Sequence, residues 1–191
     1  MRARRRAWVG VALAAAFSAS CAETTTGGAS ASAPLAPSGT HASDFAARDV
    51  QGRTVRLSDH LARREVVLID FWSTFCEPCL AEMPHLEALY EAERAKGFVI
   101  LAVSMDGPET VADVPGFARR HGLSFPVVLD EDSHVASIYN PKKSAPFSVL
   151  IDRQGTLVRA REGYNPGDEQ LVAEDVRAAL ASTPPSRAPA R

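Results

Sequence analysis

The sequence predicts one α/β domain with a mixed central sheet and helices on both of its faces. Two continuous apolar runs, Val66–Phe71 and Phe98–Val103, have the composition of central strands covered on both sides. Helical stretches lie between and after them, so the first half of the domain alternates strand and helix. The last part places two strands around the turn Asp152-Arg153-Gln154-Gly155 before a final helix, and that antiparallel ending makes the sheet mixed.

Taken in order, Thr54–Leu57 follows the Gln51-Gly52 turn and reads as a short strand, half of an edge hairpin. Val66–Phe71 is the first central strand. A helix is expected from Pro78 to Lys96, stopping at Gly97, which suits a C-cap; Pro84 inside it is expected to kink it. Phe98–Val103 is the second buried strand. Val111–His121 reads as a helix ending at Gly122, Pro126–Leu129 as a short strand and Ser133–Tyr139 as a helical turn. Phe147–Ile151 and Leu157–Arg161 form the late hairpin, and Asp168–Ala181 is the last helix. The chain has no internal repeat.

The flanks differ from this unit. Arg2, Arg4, Arg5 and Arg6 precede the apolar run Trp8–Phe17, the pattern of a signal peptide and too short to span a bilayer comfortably. Ser18-Ala19-Ser20-Cys21 then resembles a bacterial lipobox, whose cysteine is lipidated; Ser18 stands where an aliphatic residue is usual. Cleavage after Ala22 is the other reading. Residues 1–21 are thus read as the signal and 22–43, rich in Ala, Ser, Thr, Gly and Pro, as a flexible linker. The domain is expected over residues 44–181, and the proline-rich residues 182–191 as a disordered tail.

The 191 residues carry a net charge of −2 with mixed signs, which gives nucleic-acid binding no support. Three cysteines, Cys21, Cys76 and Cys79, are too few for a disulfide framework. A zinc site would need two more ligands, and no second Cys-x-x-Cys or His-x₃₋₅-His pair exists. His41, His60, His85, His121 and His134 share no spacing and read as solvated side chains.

The chemistry concentrates in Asp70-Phe71-Trp72-Ser73-Thr74-Phe75-Cys76-Glu77-Pro78-Cys79. Here a strand gives way to a helix that starts at Cys-x-x-Cys. Backbone N–H groups and the helix dipole stabilise a thiolate at Cys76, the expected nucleophile. Cys79 lies one turn on, on the same face, as the resolving thiol. Glu77 and Pro78, between the sulfurs, are expected to set the reduction potential, with Glu77 opposing the dipole through like charge.

Phe71-Trp72, Cys76-Glu77-Pro78-Cys79 and Glu82-Met83-Pro84 resemble the TlpA/ResA branch of the thioredoxin superfamily, exported thiol–disulfide oxidoreductases. Asp44-Phe45 with Asp49–Asp59 is similar to that branch's N-terminal β-hairpin, and Val99–Asp106 with Val111–Asp130 to its extra αβ insertion. The resemblance implies a thioredoxin-like fold and a cis proline at Pro146, with Ala145 pairing in strand fashion with a substrate peptide; an ordinary trans turn is the alternative. It implies that Asp70 is a buried acid beneath Cys79 that takes its proton, against a surface aspartate at a strand end. Glu82 is similar to a glutamate that handles protons in this branch, against a solvated helix charge. Trp72 would shield the sulfurs, unless it is plain core. Phe75 departs from the second Trp usual in the branch, and Asn140-Pro141-Lys142-Lys143-Ser144 is more basic than typical.

The resemblance further implies an exported enzyme with no cofactor beyond its redox disulfide, acting as a monomer and more as a reductant than an oxidant. Its partners would be exported proteins bearing thiols or disulfides, among them apocytochrome c, and a membrane thiol-reductant transporter. A lipid anchor on Cys21 would hold it at the periplasmic side of the envelope. The rival functions are a thiol peroxidase with antioxidant activity, for which Ser73 stands three residues before Cys76 but no proline lies in Glu65–Phe75, and a metal- or haem-handling chaperone.

Overall fold

A computed structural model describes residues 39–182. The signal segment, Cys21, most of the linker and the tail lie outside the described residues. The elements are β1 (Ala46–Asp49), β2 (Thr54–Arg56), α1 (Leu57–Ala62), β3 (Val66–Trp72), α2 (Glu77–Glu93), β4 (Phe98–Ser104), α3 (Val114–Arg120), β5 (Val127–Leu129), α4 (His134–Tyr139), β6 (Phe147–Ile151), β7 (Leu157–Glu162) and α5 (Asp168–Ala181). The strands make one seven-stranded sheet in the order β2-β1-β5-β4-β3-β6-β7. Strands β5, β4 and β3 run parallel, and β1, β2, β6 and β7 join antiparallel. This is the mixed, thioredoxin-like α/β architecture expected, with the hairpin β1–β2 at one edge.

Alternation along the strands sorts the core into two layers. Val66, Leu68, Trp72, Ile100 and Ala102 face α2, α3 and α5 through Met83, Leu86, Phe117, Val172 and Val176. Val67, Ile69, Phe71, Leu101 and Val103 face the other way, toward Leu57 of α1 and Val135, Ala136 and Tyr139 of α4. Every residue of β3 and β4 is buried, which is why both read as almost wholly apolar runs. The sole carboxylate among them, Asp70, shares the parity of Leu68 and Trp72 and so lies on the α2 face.

Several boundaries differ from those read in the sequence. Leu57 does not end a strand; it opens α1, because burying Leu57 and half-burying Leu61 on one face requires helical spacing. The Asp44 carboxylate accepts the Ser58 N–H (2.8 Å) at the start of that helix. Helix α2 ends at Glu93 and tightens into a 3₁₀ turn, Arg94–Lys96, before Gly97 at φ 87°. Another 3₁₀ turn, Val111–Asp113, precedes α3. Two residues of the expected linker contact the late hairpin: His41 bridges Thr156, and the Ala42 N–H donates to Gly155 O (2.8 Å). His60 is not solvated; its Nδ1 lies 2.6 Å from Glu65 Oε2.

Candidate active site

Helix α2 starts where β3 ends, after the turn Ser73–Phe75. Cys76 is its N-cap, with extended backbone (φ −86°, ψ 95°), and its Sγ accepts the Cys79 N–H at 3.3 Å. Pro78 sits in the first turn, where a missing N–H loses no helical bond. The Cys76 N–H is taken by Ser73 O (3.2 Å), which folds the turn back on itself. Cys76 and Cys79 are joined as a disulfide with Cα atoms 5.3 Å apart. Cys79 is 1% exposed whereas Cys76 is half-buried, so an incoming sulfur can reach only the first.

Two acids lie on the buried side. The inward positions of α2 are Cys79, Glu82, Met83, Leu86, Leu89 and Glu93, a run at three- and four-residue spacing that carries Glu82 inward one turn after Cys79. Asp70 is 1% exposed and Glu82 6%, so neither is a solvated charge. Burial pushes the Asp70 carboxyl up to about 7. Burial, then the charges of Asp70, Asp168 and Glu169, push Glu82 up to about 9. Neither Asp70 Oδ1 nor the Trp72 indole N–H has a hydrogen-bond partner among the described residues. An unpartnered buried carboxyl near neutrality can accept a proton and return it.

The Ala145-Pro146 bond is cis. Phe147 pairs with Phe71, so the Ala145-Pro146 bond lies at the end of the sheet where β3 leads into the turn before Cys76. Pro146 is buried and Ala145 exposed, alongside the turn that carries Cys76. Glu77 and Pro78 are exposed on the same end of the sheet, and Phe75 is 70% exposed. Trp72 is fully buried and packs on Phe117, ring centroids 5.0 Å apart. It therefore offers no surface to a docked peptide.

Sequence reasoning passed over three contributors. Asp106, 1% exposed, accepts from the Thr74 N–H (3.0 Å), the Thr74 hydroxyl and the Ser104 hydroxyl (2.9 Å). Asn140, 2% exposed, clasps the loop before Pro146: its Nδ2 donates to Ser144 O (2.8 Å) and its Oδ1 accepts the Ser144 N–H (3.1 Å). Tyr164 donates to Glu169 Oε2 (3.0 Å) beside His85, closing the outer end of the Glu82 region. The signal available for Asp106 was its place just past a central strand, where parallel sheets gather their functional groups.

Comparison with known proteins agrees with this geometry. The profile of the AhpC/TSA family matches residues 38–161. The thiol-disulfide oxidoreductase ResA of Halalkalibacterium halodurans is 33% identical over 174 residues, covering 91% of this chain and 95% of that protein. Among solved structures, a Chlorobium tepidum protein assigned as a thiol:disulfide interchange protein DsbE has a TM-score of 0.68 at 32% identity. The match covers 75% of this chain and 97% of that one. An exposed lipoprotein thioredoxin of Streptococcus pneumoniae has a TM-score of 0.59 at 26% identity, covering 71% and 99%.

Proposed function

Since this chain belongs to the AhpC/TSA family, and within it to the ResA-like thiol–disulfide oxidoreductases, we propose that it reduces disulfides of exported proteins in a bacterial envelope. In the reduced enzyme the Cys76 thiolate attacks one sulfur of a partner disulfide. That S–S bond breaks, and the first partner sulfur leaves as a thiolate. Cys79 then gives its proton to the buried acid pair Asp70 and Glu82 and attacks Cys76 Sγ. The mixed disulfide breaks, the second partner thiolate leaves, and two electrons have passed to the partner. The enzyme is left with the Cys76–Cys79 disulfide, which a membrane thiol-reductant transporter would reduce.

The observation that carries this reading is the asymmetry of the pair: Cys76 half-exposed at a helix N-cap, Cys79 buried against the sheet face that also carries Asp70. Exposed Ala145 beside that turn suits strand-fashion pairing with a partner segment. The electrostatics favour a reductant. Glu77 follows Cys76 directly and is exposed; negative charge there destabilises the thiolate, so the dithiol gives up electrons more readily. Apocytochrome c thiols before haem attachment are one substrate class consistent with a ResA-like enzyme. Export rests on the basic and apolar N-terminal segment, and anchoring on Cys21; one structural neighbour is itself named a lipoprotein.

The test is turnover of insulin disulfides with dithiothreitol by protein lacking residues 1–21. Catalysis that Cys76→Ser abolishes is expected; no catalysis, or the same rate in Cys76→Ser, sinks the oxidoreductase reading. Trapping in cells with Cys79→Ser should hold exported proteins on Cys76, and faster reaction with peroxide than with protein disulfides would favour a peroxidase.

A further inference from the structure

We propose that Asp106 is the positioning residue for Cys76, acting through Thr74. This rests on Cys76 being the exchanging thiol. Strands β3 and β4 lie in parallel register, with Trp72 beside Ser104, so the chain leaves both at one level of the sheet. Past that level the two connections are stitched together. The Met105 N–H donates to Trp72 O (2.8 Å), and the Asp106 N–H donates to Ser104 Oγ (3.2 Å). The Asp106 carboxylate then takes both donors of Thr74, with Oδ2 shared by the Ser104 hydroxyl. A carboxylate is acceptor-only with two oxygens, the group that can close three donors at once in a buried place.

The consequence falls on the nucleophile. Thr74 stands between Ser73, whose carbonyl accepts the Cys76 N–H, and Phe75, which leads into Cys76. With the Thr74 N–H and hydroxyl both held, the Ser73 carbonyl is set, and through it the place of Cys76 Sγ over the first turn of α2, where it meets the Cys79 N–H. Asp106 itself is buried and reaches no partner protein. Its effect is therefore on the rate of sulfur attack and not on docking, which uses Ala145, Glu77 and Pro78.

The experiment measures, at one fixed neutral pH, the alkylation rate of Cys76 in the reduced protein by iodoacetamide, then kcat and KM for insulin disulfides. Removing the Thr74 hydroxyl with Thr74→Val is expected to slow alkylation and lower kcat by about tenfold with KM unchanged, the scale of a lost bond to a buried charge. Thr74→Ser keeps the hydroxyl and should restore most of the rate. Asp106→Ala should match Thr74→Val in direction, and the double variant should be little worse than Asp106→Ala alone. Parent-like alkylation in Thr74→Val, or Thr74→Ser as slow as Thr74→Val, overturns the proposal. If Asp106→Ala does not fold, the Thr74 pair still decides. Alkylation needs no protein substrate, so a parent that alkylates rapidly yet reduces no insulin removes the exchange reading while leaving this comparison intact.

Discussion

In the proposed reaction Asp70 is the group that takes the Cys79 proton in the resolving half. It sits on a strand whose other members are apolar, with one carboxyl oxygen unpartnered, and a residue so placed is costly unless neutral or in use. Asp70→Asn keeps the shape and removes the proton site. Release of a partner from the mixed disulfide with Cys76 should slow by about tenfold or more, while the first attack by Cys76, read by alkylation, stays near the parent rate. Equal release rates would remove Asp70 from the mechanism. Glu82→Gln should show a smaller effect of the same kind, since Glu82 lies one turn farther along α2 and gains part of its shift from Asp70 itself. Trp72, by contrast, was legible as an aromatic beside the site, yet its lack of exposed surface depends on α3 bringing Phe117 against it.

At the scale of elements, caps and clasps place the loops around the sulfurs. Helix α4 starts from Ser133 at φ 58°, and the capping is done by Asp130, whose two oxygens accept the Val135 and Ala136 N–H groups at 2.8 Å each. Asp130 is buried, so Asp130→Ala should lower stability by about 1–2 kcal/mol, read by urea unfolding, with little change in the chemistry of Cys76. Asn140, at the other end of α4, fixes the approach to Pro146. Asn140→Ala should therefore raise KM for a protein disulfide several-fold while leaving iodoacetamide alkylation unchanged; an unchanged KM would separate this loop from docking. Glu93 ties α2 to α5 through Arg177 (3.1 Å) and also meets Lys96 (2.7 Å). These pairs hold its carboxyl below the usual carboxylate range, the Lys96 hydrogen bond first among them.

For the whole molecule, the acid pair sets a pH dependence of stability whose sign is unusual. Asp70 in the folded chain titrates near 7 against 3.8 as its ordinary value, and Glu82 near 9 against 4.5. The folded state thus keeps protons that the unfolded state has lost. This contribution is fully present below the ordinary values, declines as pH rises from there, and is gone once pH passes 7 for Asp70 and 9 for Glu82. Asp70→Asn removes the Asp70 part. The variant should equal the parent in acid and exceed it by about 2–4 kcal/mol above neutrality, measured by urea unfolding of the disulfide form across pH. A difference independent of pH would show that Asp70 is not buried neutral.

Local pattern determined much of this protein by itself. The two apolar runs had the composition of central strands, the Cys-x-x-Cys sat where a strand met a helix, and the three- and four-residue spacing placed Cys79 and Glu82 on one helix face. These follow from neighbours within a few positions, where backbone geometry dictates which side chains share a side. Tertiary structure decided what depends on distant partners. It made Leu57 the start of a helix by giving it a buried slot, tied His41 and Ala42 to the late hairpin, and buried Trp72. It also brought Asp106 to Thr74, 32 positions away, because β3 and β4 run parallel and end level, a register that no local period records.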